Sequence, residues 1–590
     1  MPRARDRAAT GSARTALIAL VALIMAAALI SPSGFCTAPA AAPAVAGGGA
    51  VVSGHRLASA AGIEALHDGG NAVDAAVVTA LALAVVYPEA GNLAGGGFAV
   101  VRHGGEVQTL DFRETAPAAA RANMYLDERG QPSPDASLVG PLAAGVPGSP
   151  AGLYELHHRF GKLPWARVVA PAVRLASAGF AVDQHLREVV GKADNRKLLG
   201  RFPESARIWL PGGEPPALGS LFRQPELAAT LSLYAERGPT AIVGGTVAAA
   251  VEAAARRHGG ILTAADLASY RAVWRRALTF EAYGWKLAAM DLPSSGGIIL
   301  AQTLGMLERV GWERLPRFGA DRDHLLAETF RRAFADRFLL GDPASTRATA
   351  AQLLDPRWIA ARAAGIDRRQ ATPSSQIRHW TEAAAAATPA ESSETAHLSA
   401  VDGDGNLVAL TTTLNGLFGC GLYVPEIGFL NNEMDDFATA PGRPNVYGLV
   451  QGEANAVGAG KRMLSAMTPV VAWRGGESFS LGGRGGSRIP SHTAQVLINL
   501  LIDLDPLQLA VDRPRLHHQW LPDRLEAETG ALSAATRAEL ERRGHAIFPG
   551  DATAARVHAV HRLSGGGVEA AVDPRGAAAV GGAAVLEPGK

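Results

Sequence analysis

Hydrophobic and polar positions along the chain switch repeatedly between the two periods that mark helices and strands. Residues 50–54 (AVVSG) are an apolar run of strand length, and 55–70 (HRLASAAGIEALHDGG) carry apolar residues at helical spacing until two glycines end the pattern. Asn71 then stands as an N-cap before a segment apolar nearly all round, which predicts a buried helix over 71–86. Residues 94–114 alternate between glycine-rich turns and predict a β-hairpin. The middle, 151–390, reads as mostly helical, with strand pairs over 278–293. From 395 the text turns to strands. TAHLSAVDGDGNLVALTTTLN (395–415) gives two alternating runs joined by a DGDGN turn, and further strand-and-turn patterns occupy 421–437, 463–483 and 557–580. No repeat of fixed period is present. The pattern predicts an α/β chain.

Composition narrows this. With 590 residues and 48% hydrophobic content the chain can bury a sizeable core, which excludes wholesale disorder. The 67 glycines and 36 prolines suit a loop-rich mixed fold better than a helical bundle. Lys+Arg 56 against Asp+Glu 55 leaves no basic footprint for nucleic acid. Cys36 and Cys420 cannot build a disulfide framework or a cysteine zinc site. No GxSxG, HExxH or GxxxxGK[ST] motif occurs. The pairs His157-His158 and His517-His518 are neighbours that do not face one point, so they read as surface or hydrogen-bonded histidines and no metal is expected.

At the N-terminus, Arg3, Arg5, Arg7 and Arg14 precede a 16-residue apolar run, Thr15–Ile30. A membrane span needs about 20 residues, so this run reads as the core of a signal peptide, with small-residue cleavage options after it. Residues 1–46 are therefore expected to be signal and linker. The protein is expected to be exported, to the periplasm or beyond, and a cleaved signal is preferred to a retained anchor.

One juxtaposition carries chemistry. A polar, low-complexity tract (377–394) runs straight into Thr395, the first residue of a strand. A threonine hydroxyl is a poor nucleophile without a base, and an N-terminal α-amine, with a reference pKa of about 7.7–8.0, can serve as one. Thr395 acquires that amine only if the chain is cut before it, and the tract is where a cut would be accessible.

Nine segments in this order resemble the γ-glutamyltransferases (γ-glutamyl transpeptidases, glutathione hydrolases): 54–76, 91–102, DFRETAP (111–117), TAHLSAVDGDGN (395–406), TTTLNGLFG (411–419), LNNEMDDF (430–437), 441–469, GGRGGSRI (482–489) and PRLHHQWLPD (514–523). The resemblance spans about 47–590 and implies a four-layer αββα sandwich of the N-terminal-nucleophile hydrolase type. It implies autocleavage between Glu394 and Thr395 into a large subunit (47–394) and a small one (395–590) that form a heterodimer. Thr395 would be the nucleophile with its own amine as base, and Thr413 its hydrogen-bonding partner. Gly485 and Gly486 would supply the oxyanion hole. Arg113 and Ser465 would hold the donor's α-carboxylate, and Asn415, Glu433 and Asp436 its α-ammonium. Tyr447, in the stretch 441–452, would gate a lid. Implied substrates are glutathione and other small γ-glutamyl compounds, with water, amino acids or peptides as acceptors and no cofactor. Taken singly, each charged residue here reads as a solvated surface group; only their joint fit to one small zwitterion favours the site.

Three departures stand out. Ala466 replaces a second serine, so one carboxylate hydrogen bond is missing. Gly483-Arg484 replaces a Ser-Pro pair, which is expected to put a charge close to the site. Ala396 replaces a threonine beside the nucleophile. The competing expectations are a glutaryl or cephalosporin-type acylase on the same scaffold, which Ala466 favours, and an unprocessed binding protein.

Overall fold

A computed structural model of the chain describes residues 45–46, 48–133, 135–379, 395–443, 449–550, 555–575 and 581–586. The expected signal segment, the tract before Thr395 including Glu394, and Tyr447 lie outside the described residues.

Fourteen strands form two seven-stranded sheets. They are β1 (Val45–Ala46), β2 (Ala50–Ser53), β3 (Gly96–His103), β4 (Glu106–Phe112), β5 (Val273–Arg275), β6 (Leu278–Ala282), β7 (Trp285–Ala289), β8 (Thr395–Val401), β9 (Leu407–Thr413), β10 (Val470–Arg474), β11 (Glu477–Arg484), β12 (Arg556–Arg562), β13 (Gly567–Ala571) and β14 (Gly582–Val585). One sheet runs β14-β2-β8-β9-β3-β4-β5 and the other β1-β13-β12-β11-β10-β7-β6. Every neighbour in both is antiparallel.

The sheets pack face to face through small apolar side chains, among them Ala50, Val52, Ala288, Ala409, Val471, Val560 and Ala570. Helices α1 (Arg56–His67) and α2 (Ala72–Val86) cover the first sheet, while α3 (Gly296–Val310), α4 (Ala320–Arg337) and α5 (Ile489–Leu501) lie over the second. This gives the four αββα layers. Helix α2 is buried at all its positions, and the Asn71–Asp74 capping box satisfies its first N–H groups, as the all-round apolar pattern predicts. The hairpin β3–β4 turns at Gly104-Gly105, whose φ values of 58° and 90° favour glycine.

The strand-and-turn pattern expected over 557–580 is followed by a further strand, β14. β12 and β13 pair as a hairpin, but β14 crosses to the other sheet and pairs with β2. Strand β2 is flanked on its other side by β8, so β2 lies between the chain's last described strand and the one that opens with Thr395.

No helix among the described residues is long and apolar enough to cross a membrane. Cys420 is buried, and burial pushes its thiol up to about 12. His157 bonds the Leu163 carbonyl at 2.9 Å, while His517 and His518 are buried and bonded to Ser491 (2.7 Å) and Asp523 (3.2 Å), so the latter pair belongs to the interior rather than the surface.

Candidate active site

Strand β8 is buried on both faces, and its period-2 alternation decides what each face does. Ala396, Leu398 and Ala400 join the apolar core beneath the helices. The other face presents Thr395, His397 and Ser399 toward the second sheet. There His397 Nδ1 meets Thr411 Oγ1 at 2.8 Å and Nε2 meets Ser399 Oγ at 3.0 Å, while the Ser480 hydroxyl of β11 donates to Ser399 Oγ at 3.0 Å. Burial holds the His397 pKa well below its usual value, so the ring is a neutral strut.

Thr395 pairs in register with Thr413, the last residue of β9. The Thr395 hydroxyl donates to Thr413 Oγ1 at 3.5 Å, and Thr413 Oγ1 accepts the Asn415 N–H at 2.8 Å. Asn415 sits at φ 71°, a left-handed position that asparagine tolerates. Its amide donates to the Asn432 carbonyl at 3.0 Å, and the Asn432 N–H returns to the Leu414 carbonyl at 3.0 Å. The end of β9 is thereby tied to the short turn Glu433–Asp436.

That turn holds the acids against Arg113, which follows β4 and is 1% exposed. Arg113 Nη1 lies 2.5 Å from Glu433 Oε2 and 3.6 Å from Glu114 Oε2, Nη2 pairs with Asp436, and Nε donates to the Met463 carbonyl at 3.3 Å. Burial raises the pKa of Glu433 and of Asp436, and Arg113 opposes both shifts. Glu114 is raised well above the carboxylate range by burial and by Glu433. Arg113 itself is held above its usual value, because the acids around it outweigh its own desolvation.

Thr395, Thr413, Asn415, Asp436, Ser465, Ala466 and Gly486 line one cavity, together with Arg337, Leu449, Met467, Ser487 and Ile489. The described residues leave about 20 Å³ of room in it, that of a water molecule. Gly485 (φ 129°) and Gly486 (φ 53°) form the turn from β11 into α5, a conformation that requires glycine. Ser465 is fixed by its own backbone: its N–H donates to the Pro293 carbonyl and its carbonyl accepts the Ser295 N–H, both at 2.8 Å.

Of the sequence-expected residues, Thr395, Thr413, Asn415, Asp436, Ser465 and Gly486 share the cavity wall, and Gly485 adjoins it in the chain. Arg113 and Glu433 lie one side-chain layer behind the cavity wall. Arg484 is buried and turned away, its guanidinium donating to the Tyr87 hydroxyl at 3.0 Å, so it ties the Gly485-Gly486 turn to the end of α2 rather than charging the site. Arg337 was not singled out by sequence, because AETFRRAFADRF reads as an ordinary amphipathic helix. No group of three or more potential metal ligands occurs among the described residues.

A four-layer αββα sandwich whose cavity is built around the first residue of a central strand defines an N-terminal-nucleophile hydrolase. A family model described as gamma-glutamyltranspeptidase matches residues 58–583. The chain is 41% identical over 503 residues to the glutathione hydrolase proenzyme of Escherichia coli (strain K12), covering 85% of this chain and 86% of that one. It is 36% identical over 528 residues to the acylase ACY 1 proenzyme of Pseudomonas sp. (strain SE83), covering 88% and 90%. Its structure resembles that of a cephalosporin acylase from Bacillus halodurans, with a TM-score of 0.80, 25% identity and coverage of 94% and 99%. The chain belongs to the γ-glutamyltranspeptidase family.

Proposed function

We propose that this enzyme is exported, cuts itself between Glu394 and Thr395, and then hydrolyses glutathione and related γ-glutamyl amides or passes the γ-glutamyl group to an amino-acid or peptide amine. The observation that carries this reading is the Thr395 hydroxyl, buried at the head of β8 and hydrogen-bonded to Thr413, in one cavity with Asn415, Asp436 and Ser465. Export rests on the basic start and apolar run of residues 1–46.

In the cut, Thr395 Oγ attacks the carbonyl of residue 394, the peptide C–N bond breaks, and the resulting ester takes up water. The products are a large chain ending at Glu394 and a small chain, 395–590, that stay paired through the shared sheet: β8 and β9 hydrogen-bond directly to β2 and β3. In turnover the new Thr395 amine takes the hydroxyl proton as Oγ adds to the donor's γ-carbonyl. The N–H groups of Gly485 and Gly486 receive the oxyanion. The donor's γ-amide C–N bond then breaks, its amine leaves with the proton held by the Thr395 amine, and water or an acceptor amine releases the γ-glutamyl group from its ester on Thr395. Asn415 and Asp436, backed by Glu433, hold the α-ammonium; Ser465 and Arg113 hold the α-carboxylate. Tyr447 is assigned to the lid by the family resemblance.

The second reading, an acylase for glutaryl-type side chains, is supported by Ala466 on the cavity wall and by the acylase relatives. Hydrolysis of γ-glutamyl-p-nitroanilide is compared with that of glutaryl-p-nitroanilide, which keeps the carboxylate and lacks the ammonium. Preference for the γ-glutamyl compound supports the first reading, and preference for the glutaryl compound replaces it with the second.

A further inference from the structure

Two charged side chains lie on the cavity wall among the described residues, Asp436 and Arg337. Arg113 is already surrounded by acids, with Glu433 and Asp436 on its two Nη atoms and a carbonyl on Nε. Arg337 differs. It ends α4 and is 3% exposed, yet its partners are neutral: Nε donates to Ser295 Oγ at 3.0 Å and Nη1 to Gln451 Oε1 at 3.2 Å. Nη2 makes no hydrogen bond among the described residues, and no described carboxylate lies within ion-pair distance of the guanidinium. Burial lowers its pKa to about 10, which leaves it charged at neutral pH. Asp436 attracts it from beyond ion-pair distance, and a buried cation that lacks a direct anion partner is costly unless its site receives one.

The two neutral partners aim this cation. Ser295 Oγ donates to the Ser465 carbonyl at 2.7 Å, which fixes Arg337 beside Ser465 and Ala466. Gln451 donates to the Asp436 carbonyl at 3.0 Å, which fixes it against the acidic wall.

We propose that Arg337 is a specificity-determining residue that, alongside Arg113, receives the donor's α-carboxylate on the cavity wall beside Ser465, where Ala466 offers no hydroxyl. This rests on the γ-glutamyl reading. A bidentate guanidinium supplies the recognition that the missing hydroxyl does not. It also makes the carboxylate obligatory in a donor, whichever amide leaves.

The test uses the matured two-chain enzyme and three anilides: γ-glutamyl, glutaryl (carboxylate only) and 4-aminobutyryl (ammonium only). For Arg337→Gln, kcat/KM falls about 10- to 100-fold, as for a lost charged hydrogen bond, on the γ-glutamyl and glutaryl compounds. The fall lies mainly in KM. On the 4-aminobutyryl compound it changes less than about threefold, and competitive inhibition by glutamate weakens while that by 4-aminobutyrate does not. Gln451→Glu, isosteric and 3.2 Å from Arg337, neutralises the cation without removing it and gives the same pattern if Arg337→Gln fails to mature. Equal losses on all three compounds would assign Arg337 a structural role through Ser295 and overturn the proposal. Unchanged KM values would leave the carboxylate to Arg113 and overturn it as well. If the wild type takes glutaryl but not γ-glutamyl donors, the functional reading falls, while Arg337 is still tested on the glutaryl compound.

Discussion

Replacing Thr413 with valine removes one oxygen and keeps the β-branched shape that suits the end of β9. Besides its hydrogen bond with the Glu433 side chain, the oxygen makes two contacts here. It accepts the Asn415 N–H at 2.8 Å, and it receives the Thr395 hydroxyl at 3.5 Å. The second contact is at the outer limit of a hydrogen bond and contributes little in the resting chain. The first is short and buried, and losing its acceptor leaves an unsatisfied N–H that costs about 1–3 kcal/mol. Asn415 is the residue whose left-handed backbone links Thr413 to the acidic turn, so the cost falls on the geometry around the nucleophile. At about tenfold per 1.4 kcal/mol, self-cleavage of Thr413→Val slows by about 5- to 150-fold. The assay follows precursor made by cell-free synthesis at low temperature, sampled on a denaturing gel after warming. Thr413→Ser, which keeps the oxygen, restores most of the rate. A valine variant that converts at the wild-type rate, with serine no faster, refutes the assignment.

Other outcomes follow from the same geometry. Ala466→Ser adds a donor on the cavity wall beside Ser465 and lowers the donor KM by about 3- to 100-fold, the range for a hydrogen bond to a neutral or charged group; an unchanged KM in initial-rate kinetics contradicts this. Burial pushes His517 and His558 down to about 3 and about 4. Both are neutral in the fold and protonate near pH 6.5 when unfolded, so the unfolded state binds more protons between those values and stability falls as pH drops below 6.5. The loss from His558 alone is on the order of 3 kcal/mol by pH 4, visible as a falling melting temperature between pH 7.5 and 4.5 that flattens in His558→Gln. A flat wild-type profile removes that account.

Much of the site was legible in sequence because local chemistry set it. The Asn71 cap, the glycine turn of the β3–β4 hairpin, and the alternation that puts Thr395 and His397 on one face of β8 are all short-range signals. The family resemblance then gathered Arg113, Asn415, Glu433, Asp436, Ser465 and Gly486, whose convergence no spacing rule could give. What escaped depends on long-range pairing. β14 is a short run of small residues without alternation, and only its partner β2, more than 500 residues away, makes it a strand. Arg484 reads as a charge near the oxyanion glycines until Tyr87 is seen to hold it away. Arg337 reads as a helix-end arginine, and its role rests on the neutral character of Ser295 and Gln451, which are remote from it in sequence.

The central claim is that Thr395 becomes an N-terminus and acts as one. Purified protein is resolved into its chains, and each is sequenced from its N-terminus and weighed by intact mass spectrometry, beside Thr395→Ala. The account predicts two chains, the smaller beginning at Thr395 and running to residue 590, with γ-glutamyl hydrolysis appearing as they form. Thr395→Ala stays whole and inactive. A wild-type protein that stays in one piece and is active, or an active pair whose smaller chain begins elsewhere, contradicts it.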